Sequence, residues 1–193
     1  MWNSFLNQYE IILASASPRR QAFLQEMQIP FRVEVIPTDE SFPNHLKGKE
    51  ITEYIALQKA NAFTNLQDHQ ILITSDTLVL FENEVLAKPA NAEEAKQMLQ
   101  KLSGKTHEVI TSICLKNKYK KIIDSCITLV TFEPLSNEMI DFYVQHFSPL
   151  DKAGAYGIQE WIGHLGVSKI DGSYNNVVGL PTHLLFQLLK EIV

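Results

Sequence analysis

Long apolar runs are missing from this chain, and cysteine is rare, with two among 193 residues. A membrane-spanning helix needs about 20 consecutive apolar residues, and no stretch of the sequence approaches that length. The N-terminal segment has neither the basic start nor the apolar stretch of a signal peptide. We therefore expect a cytoplasmic protein without a membrane partner. Its cysteines, Cys114 and Cys126, are expected to be reduced thiols without a function.

Positive charge is also scarce. The 17 Lys and Arg residues are outnumbered by 22 Asp and Glu residues, which leaves a formal net charge of -5. Proteins that bind nucleic acid in general present a basic surface, because their affinity comes largely from neutralised phosphates. The composition therefore predicts no nucleic-acid partner and disfavours an RNA-binding role. Any polyanion must be bound by a small local cluster of cations.

Several common catalytic fingerprints are absent as well. The sequence contains no G-x-x-x-x-G-K-[ST] loop, no G-x-G-x-x-G fingerprint and no G-x-S-x-G elbow, which argues against the usual P-loop, dinucleotide-binding and α/β-hydrolase sites. Its six histidines lack zinc-ligand spacing, and no C-x-x-C pair exists. If a metal takes part, we expect a hard ion on carboxylates and phosphates, Mg²⁺ or Mn²⁺.

The apolar pattern that is present predicts an α/β protein. Strand-like runs alternate with helical periodicity in the first half, and two later strand-like stretches separated by lysines predict a hairpin. This order favours a mixed, twisted sheet with flanking helices. Residues 71–80 read as a central strand covered on both faces, interrupted by S-D-T at 75–77. We treat 1–193 as a single domain in which the hairpin region is a candidate second lobe, with a small-molecule cleft between the lobes.

The first loop carries a physical signal for anion binding. If Ser17 caps the next helix and Pro18 takes its first position, Arg19 and Arg20 fall in the first turn. The helix dipole disfavours cations there by roughly 0.3–1 kcal/mol each, unless an anion occupies the free N–H groups. A phosphate would be such an anion. The residues alone leave two interpretations open: a phosphate site, or arginines that are solvated or paired with an acid such as Glu26.

Asp76 lies within the most apolar strand, where an unpaired carboxylate would cost several kcal/mol. It therefore needs a partner, which a metal ion, a lysine or a capped turn would supply. Ligands collect at strand ends in α/β sheets, so a catalytic Asp76 is one interpretation, and an Asp76 that bonds its own turn is the other. Lys59, Lys88 and the pair Asp39-Glu40 extend the candidate set, although each alone is also typical of a solvated surface.

Taken together, six ordered segments resemble the Maf family. They are L-A-S-A-S-P-R-R at 13–20, S-D-T at 75–77, K-P at 88–89, L-S-G-K-T-H-E-V at 102–109, D-K-A-G-A-Y-G-I-Q at 151–159 and G-S-Y-N-N-V-V-G-L-P at 172–181. The resemblance implies a two-lobed α/β fold similar to that of inosine-triphosphate pyrophosphatases. It also implies hydrolysis of nucleoside triphosphates to the monophosphate and pyrophosphate, a house-cleaning reaction of nucleotide metabolism.

The resemblance further implies roles for individual residues. Asp76 matches the family's proton acceptor, and Glu40 and Asp76 are the expected metal ligands. Substrate choice is implied for Arg19, Thr77 and Gln159: the branch resembling dTTP/UTP pyrophosphatases has Arg, Thr and Gln, as here, and the 7-methyl-GTP branch has Trp, Gln and Glu. Positions associated with phosphate, metal or catalysis match Ser15, Arg19, Arg20, Glu40, Lys59 and Lys88.

One alternative of a different class remains. The protein would then be a nucleotide-binding regulator of septum formation and cell division with little catalysis. Members of the Maf family are often dimers, so the resemblance also suggests a homodimer in which the apolar C-terminal helix joins the interface.

The chain departs from the family pattern at two positions. Tyr54 stands where many members have Arg, and Ala87 stands where Gly often precedes the lysine.

Overall fold

The computed structural model describes residues 3–193, which form a seven-stranded mixed sheet with flanking helices. In chain order the elements are β1 (Glu10–Leu13), α1 (Pro18–Glu26), β2 (Phe31–Val33), α2 (Lys49–Asn61), β3 (Gln70–Phe81), β4 (Glu84–Leu86), α3 (Ala92–Leu102), β5 (Thr106–Lys116), β6 (Lys121–Phe132), α4 (Asn137–Phe147), α5 (Trp161–Gly166), β7 (Val167–Asp171), α6 (Tyr174–Val178) and α7 (Thr182–Ile192). Short 3-10 helices lie at Ser4–Leu6, Pro149–Asp151 and Ala153–Ala155.

The sheet confirms the predicted α/β class. Its strand order is β2-β1-β3-β5-β6-β7, and β4 pairs with β3. Strand β1 runs parallel to both β2 and β3, whereas β4 is antiparallel to β3 and β7 is antiparallel to β6. The predicted hairpin corresponds to the neighbouring strands β5 and β6, whose connection is closed by the side chain of Asn117 accepting the backbone N–H groups of Tyr119 and Lys120.

Packing divides the chain into two compact units made of discontinuous segments. The first comprises the described part of Met1–Asp76 together with Thr111–Cys126 and Gly179–Val193, and the second comprises Thr77–Ile110 and Ile127–Val178. Strands β3, β5 and β6 therefore contribute residues to both units. Each unit buries its own apolar clusters, and each fully buried aliphatic side chain stabilises the fold by roughly 1.5–3 kcal/mol.

The first unit draws a large part of its core from α7. Leu185 and Leu189 are completely buried against apolar residues of β1 and β3 such as Leu13 and Ile73. The apolar face of α7 is thus used within its own unit. The expectation that this helix joins a homodimer interface stays a prediction.

Strand β3 runs from Gln70 to Phe81 and confirms the central strand predicted at 71–80, with the polar residues 75–77 inside it. Two of its polar side chains find partners on α2, since Thr74 Oγ1 donates to the Ala56 carbonyl at 2.7 Å and Asp76 pairs with Lys59. The buried Ser75 Oγ has no hydrogen-bond partner among the described residues.

Neither cysteine forms a disulfide. Cys114 is a buried thiol and Cys126 a half-buried one, as predicted. Across residues 3–193, each helix is too short or too polar to traverse a lipid bilayer.

A histidine is buried in the second unit. His107 is 2% exposed, its Nε2 lies 2.7 Å from the Tyr156 hydroxyl, and its ring stacks on Phe132 at a centroid distance of 5.6 Å. Its Nδ1 has no hydrogen-bond partner within the described part of the chain. A charged imidazolium would be costly in these surroundings, so burial lowers the pKa of His107 to about 4.

We expect His107 to make the protein less stable in mild acid. In the unfolded chain its imidazole has the ordinary pKa of 6.5 and binds a proton between pH 6.5 and about 4, whereas the buried ring stays neutral. Protonation therefore favours unfolding, and the free energy of unfolding falls by about 3 kcal/mol across this window and is unaffected above it. Urea unfolding of wild-type and His107→Gln proteins from about pH 4.5 to 7.5 measures the effect. Parallel pH profiles for the two proteins would contradict it.

Candidate active site

The loop between β1 and α1 has the predicted geometry. Ser17 is the N-cap of α1 and its side chain accepts the N–H of Arg20, while Pro18 takes the first helical position. Arg19 and Arg20 therefore lie in the first turn, where no acidic side chain accompanies them. The positive end of the helix dipole and two arginines thus coincide, which favours an anion at this place.

Arg20 has a bracing role that the sequence did not predict. Its Nε donates to the Gly179 carbonyl at 2.9 Å, and its Nη1 donates to the Ser75 carbonyl at 2.8 Å and to Ser15 Oγ at 3.4 Å. Burial lowers the pKa of Arg20, and the nearby Asp76 carboxylate counteracts that effect. The guanidinium therefore joins α1 to β3 and to residue 179, so it is neither solvated nor paired with Glu26 through these atoms.

Ser15 belongs to the same loop. It is 7% exposed, and its Oγ accepts the N–H of Ser17 at 3.3 Å as well as the Arg20 contact. With both acceptor positions used inside the loop, its hydroxyl proton remains the group suited to a phosphate oxygen.

Asp76 has the partner that its burial required, and that partner is Lys59. Lys59 Nζ lies 2.9 Å from Asp76 Oδ1 and 2.8 Å from Glu40 Oε1, so one ammonium bridges two carboxylates. Lys59 comes from the last turn of α2, Asp76 from the middle of β3, and Glu40 from the irregular segment before α2. The side chains of Lys59 and Asp76 are only 16% and 14% exposed, whereas Glu40 is 52% exposed.

The surroundings make Asp76 a better base than an ordinary aspartate. Burial raises its pKa, Lys59 and Arg20 oppose that effect, and Glu40 adds to it. A carboxylate with a raised pKa binds a proton more readily, and a neighbouring ammonium keeps it ionised until it does so. The cluster of Glu40, Lys59 and Asp76 is therefore suited to proton abstraction.

Two residues that the sequence did not single out hold this cluster in place. Thr74, two residues before Asp76, ties β3 to α2 through the Ala56 carbonyl at 2.7 Å. Lys116 closes the C-terminal end of α2, its Nζ donating to the carbonyls of Ala60 at 3.0 Å and of Phe63. Thr74 and Asp76 point to the same face of an otherwise largely apolar strand, and this alternation is the sequence signal for the first of them.

The remaining predicted residues belong to the second unit. Thr77 follows Asp76 along β3, Lys88 is exposed just after β4, and Gln159 is half-buried in the loop that follows the 3-10 helix Ala153–Ala155. The predicted set is thus divided, with Ser15, Arg19, Arg20, Glu40, Lys59 and Asp76 in the first unit and three residues in the second.

Few protein groups at this site could bind a divalent metal. Among residues 3–193, no group of three or more His, Cys, Asp or Glu side chains is arranged to hold an ion. Two carboxylates, Glu40 and Asp76, do converge on one cation. Mg²⁺ is commonly bound by one or two carboxylates and completes its shell with substrate phosphates and water. These residues fit an ion that arrives with a triphosphate rather than one held by protein ligands alone.

Comparison with known proteins identifies relatives over the full chain. A family model described as "Maf-like protein" matches residues 10–192. The dTTP/UTP pyrophosphatase of Christiangramia forsetii is 51% identical over 195 residues, covering 100% of this chain and 99% of that protein. Those of Flavobacterium psychrophilum and Porphyromonas gingivalis are 52% and 43% identical, with 93% and 96% of both chains covered.

The fold also resembles a solved structure with little sequence similarity. The Ham1 protein of Staphylococcus aureus superposes with a TM-score of 0.55 at 14% identity, covering 95% of this chain and 100% of that one. This likeness concerns the fold alone. The nearly full-length family match and the relatives at 43–52% identity show that the chain belongs to the Maf family.

Proposed function

We propose that this protein is a nucleoside triphosphate pyrophosphatase that hydrolyses dTTP and UTP to the monophosphate and pyrophosphate. The observation that carries the proposal is the cluster in which Lys59 bridges the buried Asp76 and Glu40. It supplies a base of raised pKa, and the full-length relatives are named dTTP/UTP pyrophosphatases. The proposal also includes a house-cleaning role on free nucleotides in the cytoplasm and a homodimeric state.

The reaction assigns each group of the cluster a task. Asp76 orients a water molecule and takes its proton while the water oxygen bonds to the α-phosphorus. The bond from that phosphorus to the α–β bridging oxygen breaks, and pyrophosphate leaves. Lys59 keeps Asp76 ionised before the transfer and offsets phosphate charge during it. A divalent ion, Mg²⁺ or Mn²⁺, would be held by Glu40 and Asp76 and would supply further charge neutralisation when bound.

Binding of the triphosphate is assigned to the loop before α1. Arg19, at the positive end of the α1 dipole, meets phosphate oxygens, with Ser15 donating its hydroxyl proton and Arg20 adding charge. Lys88 is a further phosphate ligand in this proposal. Choice of the base is assigned to Arg19, Thr77 and Gln159, because these three positions hold the residues expected of the dTTP/UTP branch.

Pyrophosphate release tests the function directly. Purified protein is incubated with dTTP, UTP, CTP or 7-methyl-GTP, each with Mg²⁺, Mn²⁺ or excess chelator. We expect release to be fastest with dTTP and UTP. It should stop with chelator, because without a divalent ion the negative charges of Glu40 and Asp76 oppose the negatively charged triphosphate. Tight nucleotide binding without release would favour the regulator of septum formation instead. Undiminished release in chelator would remove the metal from the mechanism.

A further inference from the structure

Gln159 lies in a tight turn of the second unit. The N–H of Glu160 donates to the Gly157 carbonyl at 3.0 Å, which closes the turn around Ile158 and Gln159. Ile158 is 4% exposed and anchors the turn in the core, whereas Gln159 is half-buried. The backbone that carries Gln159 is therefore fixed from inside the unit.

A single hydroxyl joins the two ends of this turn. Tyr143, on α4, accepts the N–H of Gly157 at 3.0 Å and donates its own proton to Glu160 Oε2. Burial raises the pKa of Tyr143 far above its ordinary value, and the Glu160 carboxylate reinforces that effect. The phenol therefore stays protonated and serves both partners at once.

An ion pair fixes the other oxygen of the same carboxylate. Lys152 Nζ lies 3.1 Å from Glu160 Oε1 and 2.6 Å from Asp151 Oδ1. The side chains of Lys152 and Glu160 are 10% and 21% exposed, so this pair is better shielded from water and salt than a surface pair. Glu160 is thus held at both oxygens, by Tyr143 and by Lys152.

The turn also has no room to move toward its neighbours. A methyl group on Gly157 would lie 2.7 Å from the carboxyl carbon of Glu160. A methyl group on Gly163, in α5, would lie 1.8 Å from the carbonyl oxygen of Ile158. Both glycines are therefore sites of close approach. The Glu160 side chain packs against the backbone at Gly157, and α5 packs against the backbone at Ile158.

We propose that Tyr143, Lys152 and Glu160 are positioning residues that hold Gln159 for recognition of the pyrimidine base. An amide can read the carbonyl and N–H edge of uracil or thymine only if its hydrogen bonds are aligned, and a loosened turn loses that alignment. The inference rests on the proposed function for the role of Gln159. The holding of the turn rests on the contacts of the second unit alone.

Hydrogen exchange of the backbone amides tests, independently of enzyme activity, whether the cluster holds the turn. In Tyr143→Phe, a substitution that keeps the ring, the amide of Gly157 loses its acceptor. We expect its exchange to accelerate at least about tenfold relative to wild type, while amides of the unit core keep their rates. Unchanged protection at Gly157 would overturn the inference, whatever the enzyme hydrolyses.

Steady-state kinetics test whether the cluster acts through Gln159. We expect Tyr143→Phe and Lys152→Met each to raise KM for dTTP and UTP about tenfold while kcat changes by less than about threefold. In a protein that already carries Gln159→Ala, the same substitutions should raise KM further by less than about twofold, since the amide that Tyr143 and Lys152 position is gone. If the increases in KM from the single substitutions multiply in the double variants, the cluster does not act through Gln159.

The matched control is an exposed ion pair of the same unit. Lys101 Nζ lies 2.7 Å from Glu84 Oε1, with 47% and 56% of the side chains exposed, and Lys101→Met should leave KM, kcat and Gly157 exchange unchanged. If the wild-type protein releases no pyrophosphate from dTTP or UTP, the proposed function fails. The exchange of Gly157 in Tyr143→Phe still decides whether the cluster holds the turn.

Discussion

Replacing Asp76 with Asn is expected to lower kcat for dTTP and UTP by about 10³-fold while KM changes by less than about threefold. The amide has the shape of the carboxylate but cannot take the proton of the attacking water. The phosphate-binding groups of the first loop are untouched by the substitution, so substrate binding should survive. Initial rates of pyrophosphate release over a range of nucleotide concentrations separate the two constants.

An exposed aspartate with its own lysine serves as the control for this substitution. Asp68 pairs with Lys118 in the same unit, with side chains 64% and 50% exposed. Asp68→Asn should leave both kinetic constants unchanged. If Asp76→Asn keeps turnover within about tenfold of wild type, the assignment of Asp76 as proton acceptor is wrong.

Replacing Lys59 with Met should damage both stability and catalysis. Removing the ammonium leaves Asp76 buried without its main partner, and we expect the free energy of unfolding to fall by about 2 kcal/mol near pH 8. The loss should be smaller near pH 5. Asp76 already has a raised pKa in the folded protein, and without Lys59 that pKa rises further. A carboxyl group whose pKa is raised by folding stabilises the folded state while it is protonated. This stabilisation is lost as pH rises through the pKa of the folded protein.

Denaturant unfolding of Lys59→Met near pH 5 and pH 8 measures this difference, and pyrophosphate release measures the loss of turnover. Lys118→Met removes the ammonium of the exposed pair and should change neither quantity measurably. Lys59→Arg keeps the positive charge and should recover most of the stability. A Lys59→Met protein that is equally destabilised at both pH values would show that Asp76 is not the group responsible.

The parts of the site that could be predicted from the sequence are those governed by local rules. The cap formed by Ser17 and the placement of Arg19 and Arg20 follow from preferences within one helical turn, and the structure has them as expected. The need of Asp76 for a partner follows from the cost of burying a carboxylate. Its identity as Lys59 depends on how α2 packs on β3, which no local pattern encodes.

Other features depend on tertiary contacts and were missed for that reason. Helix α5, strand β7 and helix α6 have 5 or 6 residues each and lie in a glycine-containing stretch, too short for periodicity to identify them. The bracing of Arg20 by the Gly179 and Ser75 carbonyls joins residues up to 159 positions apart. The partners of the polar residues in β3 come from α2, since Thr74 donates to the Ala56 carbonyl and Asp76 pairs with Lys59.

The discontinuous first unit has a consequence for the order in which the chain can fold during synthesis. Leu185 and Leu189 of α7 complete its core, and the Gly179 carbonyl completes the bracing of Arg20. These residues leave the ribosome long after β1 and roughly a hundred residues after the end of β3, whereas all segments of the second unit precede them. A nascent chain can therefore assemble the unit that carries Gln159 first. The loop bearing Arg20 reaches its final form only when α7 has emerged.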